Sequence, residues 1–317
     1  MKIKRKINRR KFLKLSAAGA AAAGLATFVS NYDSMFTATN TVKNNTNAKR
    51  IFMKRGTCSQ TFFYLLNREF GYPKQTEEFA SDPLAGGLMS TQNQCGMLWG
   101  ASLAAGAESF RRYNDHGEAV GMSLKASQQL AESFNDRAKC VNCRDITCDF
   151  SNTFDIIKFM LKALPGGFTN MICMNLAEKW GPEAIQAAKE GLSDKHNKLP
   201  QQSLSCASEV IKKMGGNDEE AVMAAGFAGG IGLSGNACGA LGAAIWMSSL
   251  TWCKEHTGES GYLNPNSKKI LEAFNNVTGS EILCPKISGQ NFKTTEDHTK
   301  FIKTGGCDKL INILAQS

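Results

Sequence analysis

Ala85-Gly86-Gly87-Leu88, followed by Cys95-Gly96-Met97-Leu98, returns in the second half of the chain as Ala228-Gly229-Gly230-Ile231 followed by Cys238-Gly239-Ala240-Leu241. In both copies seven residues separate the second glycine from the cysteine. A block repeated with its spacing intact marks an internal duplication, and it organises the rest of the sequence. Thr57-Cys58-Ser59-Gln60 lies 37 residues before Cys95, and Ser205-Cys206-Ala207-Ser208 lies 32 before Cys238. Downstream, Cys143 follows its block cysteine by 48 residues and Cys284 follows by 46. Gly166-Gly167 leads to Cys173, and Gly305-Gly306 leads to Cys307. Eight of the eleven cysteines therefore pair in order as Cys58/Cys206, Cys95/Cys238, Cys143/Cys284 and Cys173/Cys307. The odd total and the wide gaps do not describe a small disulfide-stapled scaffold.

Helical signals dominate between the cysteines. Thr57 and Gln60 have capping-box spacing ahead of Phe62-Phe63-Tyr64-Leu65-Leu66, and Asn217-Asp218-Glu219-Glu220 opens Ala221 to Gly226. Gly181-Pro182-Glu183 is expected to open a helix that Gly191 stops. No alternating run of β-branched residues persists long enough for a sheet. The expected fold is all-α: two tandem homologous helical bundles at 51–199 and 200–317, with helices from Asn152 to Gly191 packing between or across them.

The chain has 37 basic and 28 acidic residues, but eight of the basic ones precede residue 15. From residue 32 onward the balance is 29 to 28, so the body lacks the field that nucleic-acid binding requires. The early charge belongs to Asn8-Arg9-Arg10-Lys11-Phe12-Leu13-Lys14, which runs into the Ala/Gly-rich stretch Leu15 to Val29. Adjacent arginines before such a stretch mark a twin-arginine export signal over 1–31, followed by a polar linker over 32–50. Fifteen Ala-rich residues fall short of the roughly 20 that span a bilayer, so the segment is an address rather than an anchor. Without a clean Ala-x-Ala cleavage site an uncleaved signal could also tether the protein to the membrane. The destination is the periplasm or cell envelope, and export after folding suits a protein that acquires a cofactor in the cytoplasm.

With these residues in view, the chain resembles the redox-active protein family named for its pattern Cys … Gly-Cys-Ala-x-x-Gly … Cys … Cys. The closer match is Gly229-Gly230-Ile231-Gly232-Leu233-Ser234-Gly235-Asn236-Ala237-Cys238-Gly239-Ala240-Leu241-Gly242 with Cys206, Cys284 and Cys307; Cys95-Gly96-Met97-Leu98-Trp99-Gly100 fits more loosely. The resemblance implies redox chemistry at the cysteines, through an iron–sulfur centre or redox-active thiols, and a redox partner protein. One candidate set is Cys58, Cys95, Cys143 and Cys173; the other is Cys206, Cys238, Cys284 and Cys307. Cys140-x2-Cys143-x4-Cys148 adds a close run in the first half only, of a kind that zinc and iron–sulfur sites both use. The alternative is a non-redox module whose cysteines hold zinc or simply pack.

Cys58 and Cys206 fall at expected helix starts, and Cys95 and Cys238 follow glycine-rich loops, so thiolates are expected at all four. Seven glycines from Gly226 to Gly242 make the second half the expected working half, with Cys238 its least replaceable cysteine and Cys206 next. Gly230-Ile231-Gly232-Leu233-Ser234-Gly235 has dinucleotide-fingerprint spacing but follows no strand, so a close backbone loop is the better reading. Cys253 and His256 share a helix face without a counterpart in the first half. Four scattered histidines and no paired carboxylates leave hydrolase chemistry without support.

Overall fold

A computed structural model of the protein describes residues 47–149, 171–193 and 202–317. The export signal, most of the linker and Gly166-Gly167 lie outside the described residues. Within them every regular element is helical, and the one β-type contact is an isolated bridge between Gln94 and Asn142. None of these helices is long and apolar enough to cross a membrane.

The first repeat comprises α1 (Ala48–Arg55), α2 (Cys58–Glu69), α3 (Gln75–Ala80), a 310 turn at Asp82–Leu84, α4 (Gly96–Arg112), α5 (His116–Ala138), α6 (Cys143–Ile146) and α7 (Ile172–Ser193). The second comprises α8 (Cys206–Lys213), α9 (Asp218–Ala225), α10 (Gly239–Glu255), a 310 turn at Gly261–Leu263, α11 (Asn266–Thr278), α12 (Cys284–Ser288), α13 (Thr295–Lys303) and α14 (Asp308–Gln316). Helices α4 and α10, which begin just after the two block cysteines, are buried on almost every face. Such all-round burial is what an apolar helix without a polar stripe requires.

The repeats are not separate bodies. Helix α4 packs on α2 and α5 of its own repeat and on α9 of the other, while α10 packs on α8 and also on α3. One continuous core therefore runs through both. Phe62 stacks on Trp180 within the first repeat, and Trp99 meets Phe227 edge-on across the junction, each pair with centroids 4.7 Å apart. Aromatic pairs at this separation add to simple area burial.

The expected helix starts at Thr57 and Asn217 are present. Asn217 and Glu220 form the full reciprocal box, whereas Thr57 supplies only its half, accepting from the Gln60 amide. The expected helix start at Gly181-Pro182-Glu183 and stop at Gly191 are absent, and α7 runs through all of them. Packing along α5 holds α7 in one piece. Gly191 serves close approach instead, since a Cβ there would meet Ala126 Cα at 2.5 Å.

Candidate thiol site

Each repeat uses the same devices to present its cysteines. Thr57 and Ser205 cap α2 and α8, so Cys58 and Cys206 are the first helical residues. Cys95 and Cys238 are the N-caps of α4 and α10. Cys143 and Cys284 open the short helices α6 and α12, where Thr147 and Ser288 hydroxyls donate to the cysteine carbonyls at 2.6 and 2.8 Å. Cys173 is the second residue of α7, and Cys307 caps α14 with φ 63°.

Between the first and second cysteine of each repeat lies a tight left-handed turn. Gly86, Gly87, Leu88, Met89 and Ser90 have positive φ in succession, as do Gly229, Gly230, Ile231, Gly232 and Leu233. Matching hydrogen bonds close both turns. The Gln92 amide reaches Gly86 O and the Gly235 amide reaches Gly229 O, each at 2.8 Å; Met89 to Pro83 O at 2.6 Å matches Gly232 to Gly226 O at 2.8 Å. Left-handed residues other than glycine cost about 1–2 kcal/mol apiece, so Leu88, Met89 and Ser90 together cost about 3–6 kcal/mol. That cost places the first amide of each turn, Gly86 or Gly229, at the sulfur of Cys58 or Cys206. At Gly230 a Cβ would meet Ala237 O at 2.5 Å, so the dinucleotide-like spacing reflects backbone folded on backbone.

The turns bring each foursome together. Cys95 lies within electrostatic reach of Cys58, Cys143 and Cys173, and Cys206 within reach of Cys284, Cys238 and Cys307. Cys148 approaches Cys143 and Cys173, while the Cys140 thiol donates to Ala138 O at 3.4 Å instead. Cys253 also stands apart, directed at Glu259 O at 3.5 Å, and His256 stacks on Trp252. No disulfide joins any of the eleven cysteines.

Only one of the four expected thiolates is favoured. Cys58 is held below its ordinary value by the Cys95 thiol hydrogen-bonded to it; burial opposes this, and the amides of Gly86, Ser59 and Cys58 itself assist. Cys95 is pushed well up by that same bond, by burial and by the neighbouring sulfurs. The two sulfurs thus titrate as a pair. The second repeat differs. Burial, then the other sulfurs, drives Cys206 well up; burial lifts Cys238 to about 12 although the Leu241 and Ala240 amides bond to it. Burial likewise lifts Cys143 and Cys307 to about 11 and raises Cys173 and Cys284. The helix N-termini are where the sequence put them, but desolvation outweighs them wherever no second thiol donates.

Sulfur donors of this kind suit an iron–sulfur centre or zinc. As they stand, no three His, Cys, Asp or Glu side chains among the described residues are gathered closely enough to hold one metal ion. The arrangement is that of a dithiol pair in the first repeat and of four neutral, loosely grouped thiols in the second.

Several contributors have no signature in sequence. Asp82 is buried and accepts from Thr57 Oγ1 at 2.7 Å and from Ser260 Oγ at 2.5 Å. Tyr262 of the second repeat reaches over to Ser90 Oγ at 3.0 Å. The buried Gln94 amide donates to Gly230 O at 3.1 Å, joining the approach to Cys95 to the other left-handed turn.

Fold and site together define a duplicated all-helical protein with a cysteine foursome in each repeat. The chain belongs to the family described as putative redox-active protein (C_GCAxxG_C_C), whose profile matches twice, over residues 57–191 and 201–317. Residues 6–26 match the twin-arginine translocation pathway signal sequence. No curated protein and no solved structure matches the chain. It is therefore an exported redox-active protein, carried by the twin-arginine route to the periplasm or cell envelope.

Proposed function

We propose that the protein exchanges electrons through thiols, with Cys58 and Cys95 as the working couple. The observation that carries this reading is the pairing of the two sulfurs: the start of α4 packs on the Cys58 sulfur, and the Cys95 thiol is hydrogen-bonded to it, which lowers Cys58 and raises Cys95. A thiolate next to a thiol is the arrangement that begins thiol–disulfide exchange. The half-buried Cys58 thiolate attacks one sulfur of an incoming disulfide, and the other sulfur leaves as thiolate. Cys95, having given up its proton, then attacks Cys58 and releases the second sulfur. The two cysteines lose two electrons to the incoming disulfide, which leaves as one thiol, carrying the proton that Cys95 gave up, and one thiolate. Such a reading puts the working site in the first repeat, not in the second as the glycine count suggested.

The test is equilibration of the anaerobically purified protein in glutathione buffers, with acid trapping and mapping of disulfides by mass spectrometry. The expected first product is a Cys58–Cys95 disulfide, abolished by Cys58→Ser. Stoichiometric iron and acid-labile sulfide, with Cys58 and Cys95 unreactive, would replace this reading by an iron–sulfur one. Zinc alone would favour a structural module.

A further inference from the structure

The left-handed turns give the two repeats a common register, in which Asp82 stands four residues before Gly86 and Ala225 four before Gly229. In the second repeat the hydroxyl of Ser205, which caps α8, donates to the Ala225 backbone carbonyl at 2.9 Å. In the first, the hydroxyl of Thr57, which caps α2, donates at 2.7 Å to the side chain of Asp82. A carboxylate has thus replaced a carbonyl beneath the cap of the Cys58 helix. The second oxygen of that carboxylate accepts from Ser260, which belongs to the other repeat and whose hydroxyl also accepts from the Tyr262 amide at 3.2 Å. Tyr262 in turn lies within electrostatic reach of Cys58 and Cys143.

We propose that Asp82 is a positioning residue for the Cys58–Cys95 couple: by accepting hydrogen bonds from the Thr57 and Ser260 hydroxyls it fixes the cap from which Cys58 starts and ties the Ser260–Tyr262 strap of the second repeat across it. The inference rests on the thiol-exchange reading and deepens it, because it explains why one of two like sites is primed. The Ala225 carbonyl already accepts from the Ser205 hydroxyl and from the Ala228 amide, whereas the Asp82 carboxylate has one oxygen for the cap and a second for the strap. Both oxygens accept, so the arrangement needs the ionised form. Burial lifts the Asp82 carboxyl to about 6, against the Ser260 and Thr57 hydroxyls and the Arg55 charge that hold it down. Cys253 and Tyr262 are the other titratable groups that face it. Ionisation at neutral pH therefore completes the strap.

The experiment compares the purified wild-type protein with Asp82→Asn, Ser260→Ala and Thr57→Ser at pH 7.5. Two readouts are followed: the rate of iodoacetamide labelling at Cys58 by peptide mass spectrometry, and the equilibrium between Cys58–Cys95 dithiol and disulfide in glutathione buffer. Asp82→Asn turns one acceptor into a donor facing a hydroxyl, and labelling of Cys58 is expected to slow about tenfold, the change in thiolate fraction that one pKa unit brings. The dithiol–disulfide equilibrium should move with it, while Cys206 labelling stays unchanged. Ser260→Ala should show a smaller loss of the same sign, and Thr57→Ser, which keeps the hydroxyl, should match wild type. A residue that merely stabilised the fold would lower the melting temperature without altering Cys58 in the native protein. Cys58 labelling and equilibrium within twofold of wild type in both Asp82→Asn and Ser260→Ala, with the wild-type disulfide forming as described, would overturn the role of Asp82 alone. Absence of a Cys58–Cys95 disulfide in the wild type would overturn the exchange reading, and this role with it.

Discussion

Gly96→Ala is the sharpest perturbation of the Cys58–Cys95 couple that leaves every sulfur in place. A Cβ built on Gly96 would lie 2.5 Å from Cys58 Sγ, 2.8 Å from Ala85 Cα and 3.1 Å from Leu84 O. Nonbonded heavy atoms settle at about 3.5 Å or more, so the sulfur must retreat by roughly 1 Å or the start of α2 must move with it. Crowding of this kind costs about 1–3 kcal/mol. Alanine in place of glycine returns up to about 1 kcal/mol of helix propensity, since Gly96 has ordinary helical φ. The expected net loss is about 1–2 kcal/mol, a fall of several degrees in melting temperature at about 2–4 °C per kcal/mol. The larger effect should be chemical. Displacing the sulfur breaks the Cys95-to-Cys58 hydrogen bond, and a bond to a charged group is worth about 1.5–3 kcal/mol, or one to two pKa units. Iodoacetamide labelling of Cys58 at neutral pH should therefore slow by about tenfold to a hundredfold. Gly106→Ala is the matched control: a Cβ there would strike the Met223 backbone between α4 and α9, so it should destabilise without touching Cys58. Unchanged Cys58 reactivity in folded Gly96→Ala, or an equal loss in Gly106→Ala, would refute the packing argument.

Further outcomes follow from the same geometry. Among single cysteine-to-serine variants, Cys58→Ser should abolish rapid thiol labelling at pH 7, and Cys206→Ser should leave it almost intact; stopped-flow labelling decides between the two. Because the fold raises Asp82 from 3.8 to about 6, ionising it in the folded protein carries a desolvation cost that its two hydroxyl bonds only partly offset, so stability is highest below about pH 4 and falls as pH rises through 6. The step is about 3 kcal/mol, and denaturant titrations across pH 4–7 should show Asp82→Asn lacking it. Gly230→Ala combines a left-handed φ of 82° with a Cβ 2.5 Å from Ala237 O, and should cost more than about 2 kcal/mol by the same titration. Replacing Arg9 and Arg10 by Lys should retain the protein in the cytoplasm, as cell fractionation would show.

The duplication, the helical class and the export route were legible in the chain because each is written in local spacing. Glycine pairs at a fixed distance from cysteine, caps at Thr57 and Asn217, and arginines ahead of an apolar stretch need no tertiary partner to be recognised. The direction of the thiol pKa shifts was not legible. A helix N-terminus favours a thiolate wherever it occurs, but burial of Cys95, Cys206 and Cys238 works against it, and burial is a property of the packed molecule. Nor could spacing distinguish a glycine that ends a helix from one that lets a helix approach, which is why α7 runs on through Gly181, Pro182 and Gly191. The asymmetry between the repeats was the least accessible feature. It depends on Asp82, whose partners Thr57 and Ser260 are 25 and 178 residues away, and on a hydrogen bond between sulfurs 37 residues apart along the chain. Sequence decides which groups exist and which local turns they can make. Only folding decides which of them lose water together and which meet a donor, and here the Cys95 thiol lowers Cys58 while burial raises Cys95, Cys206 and Cys238.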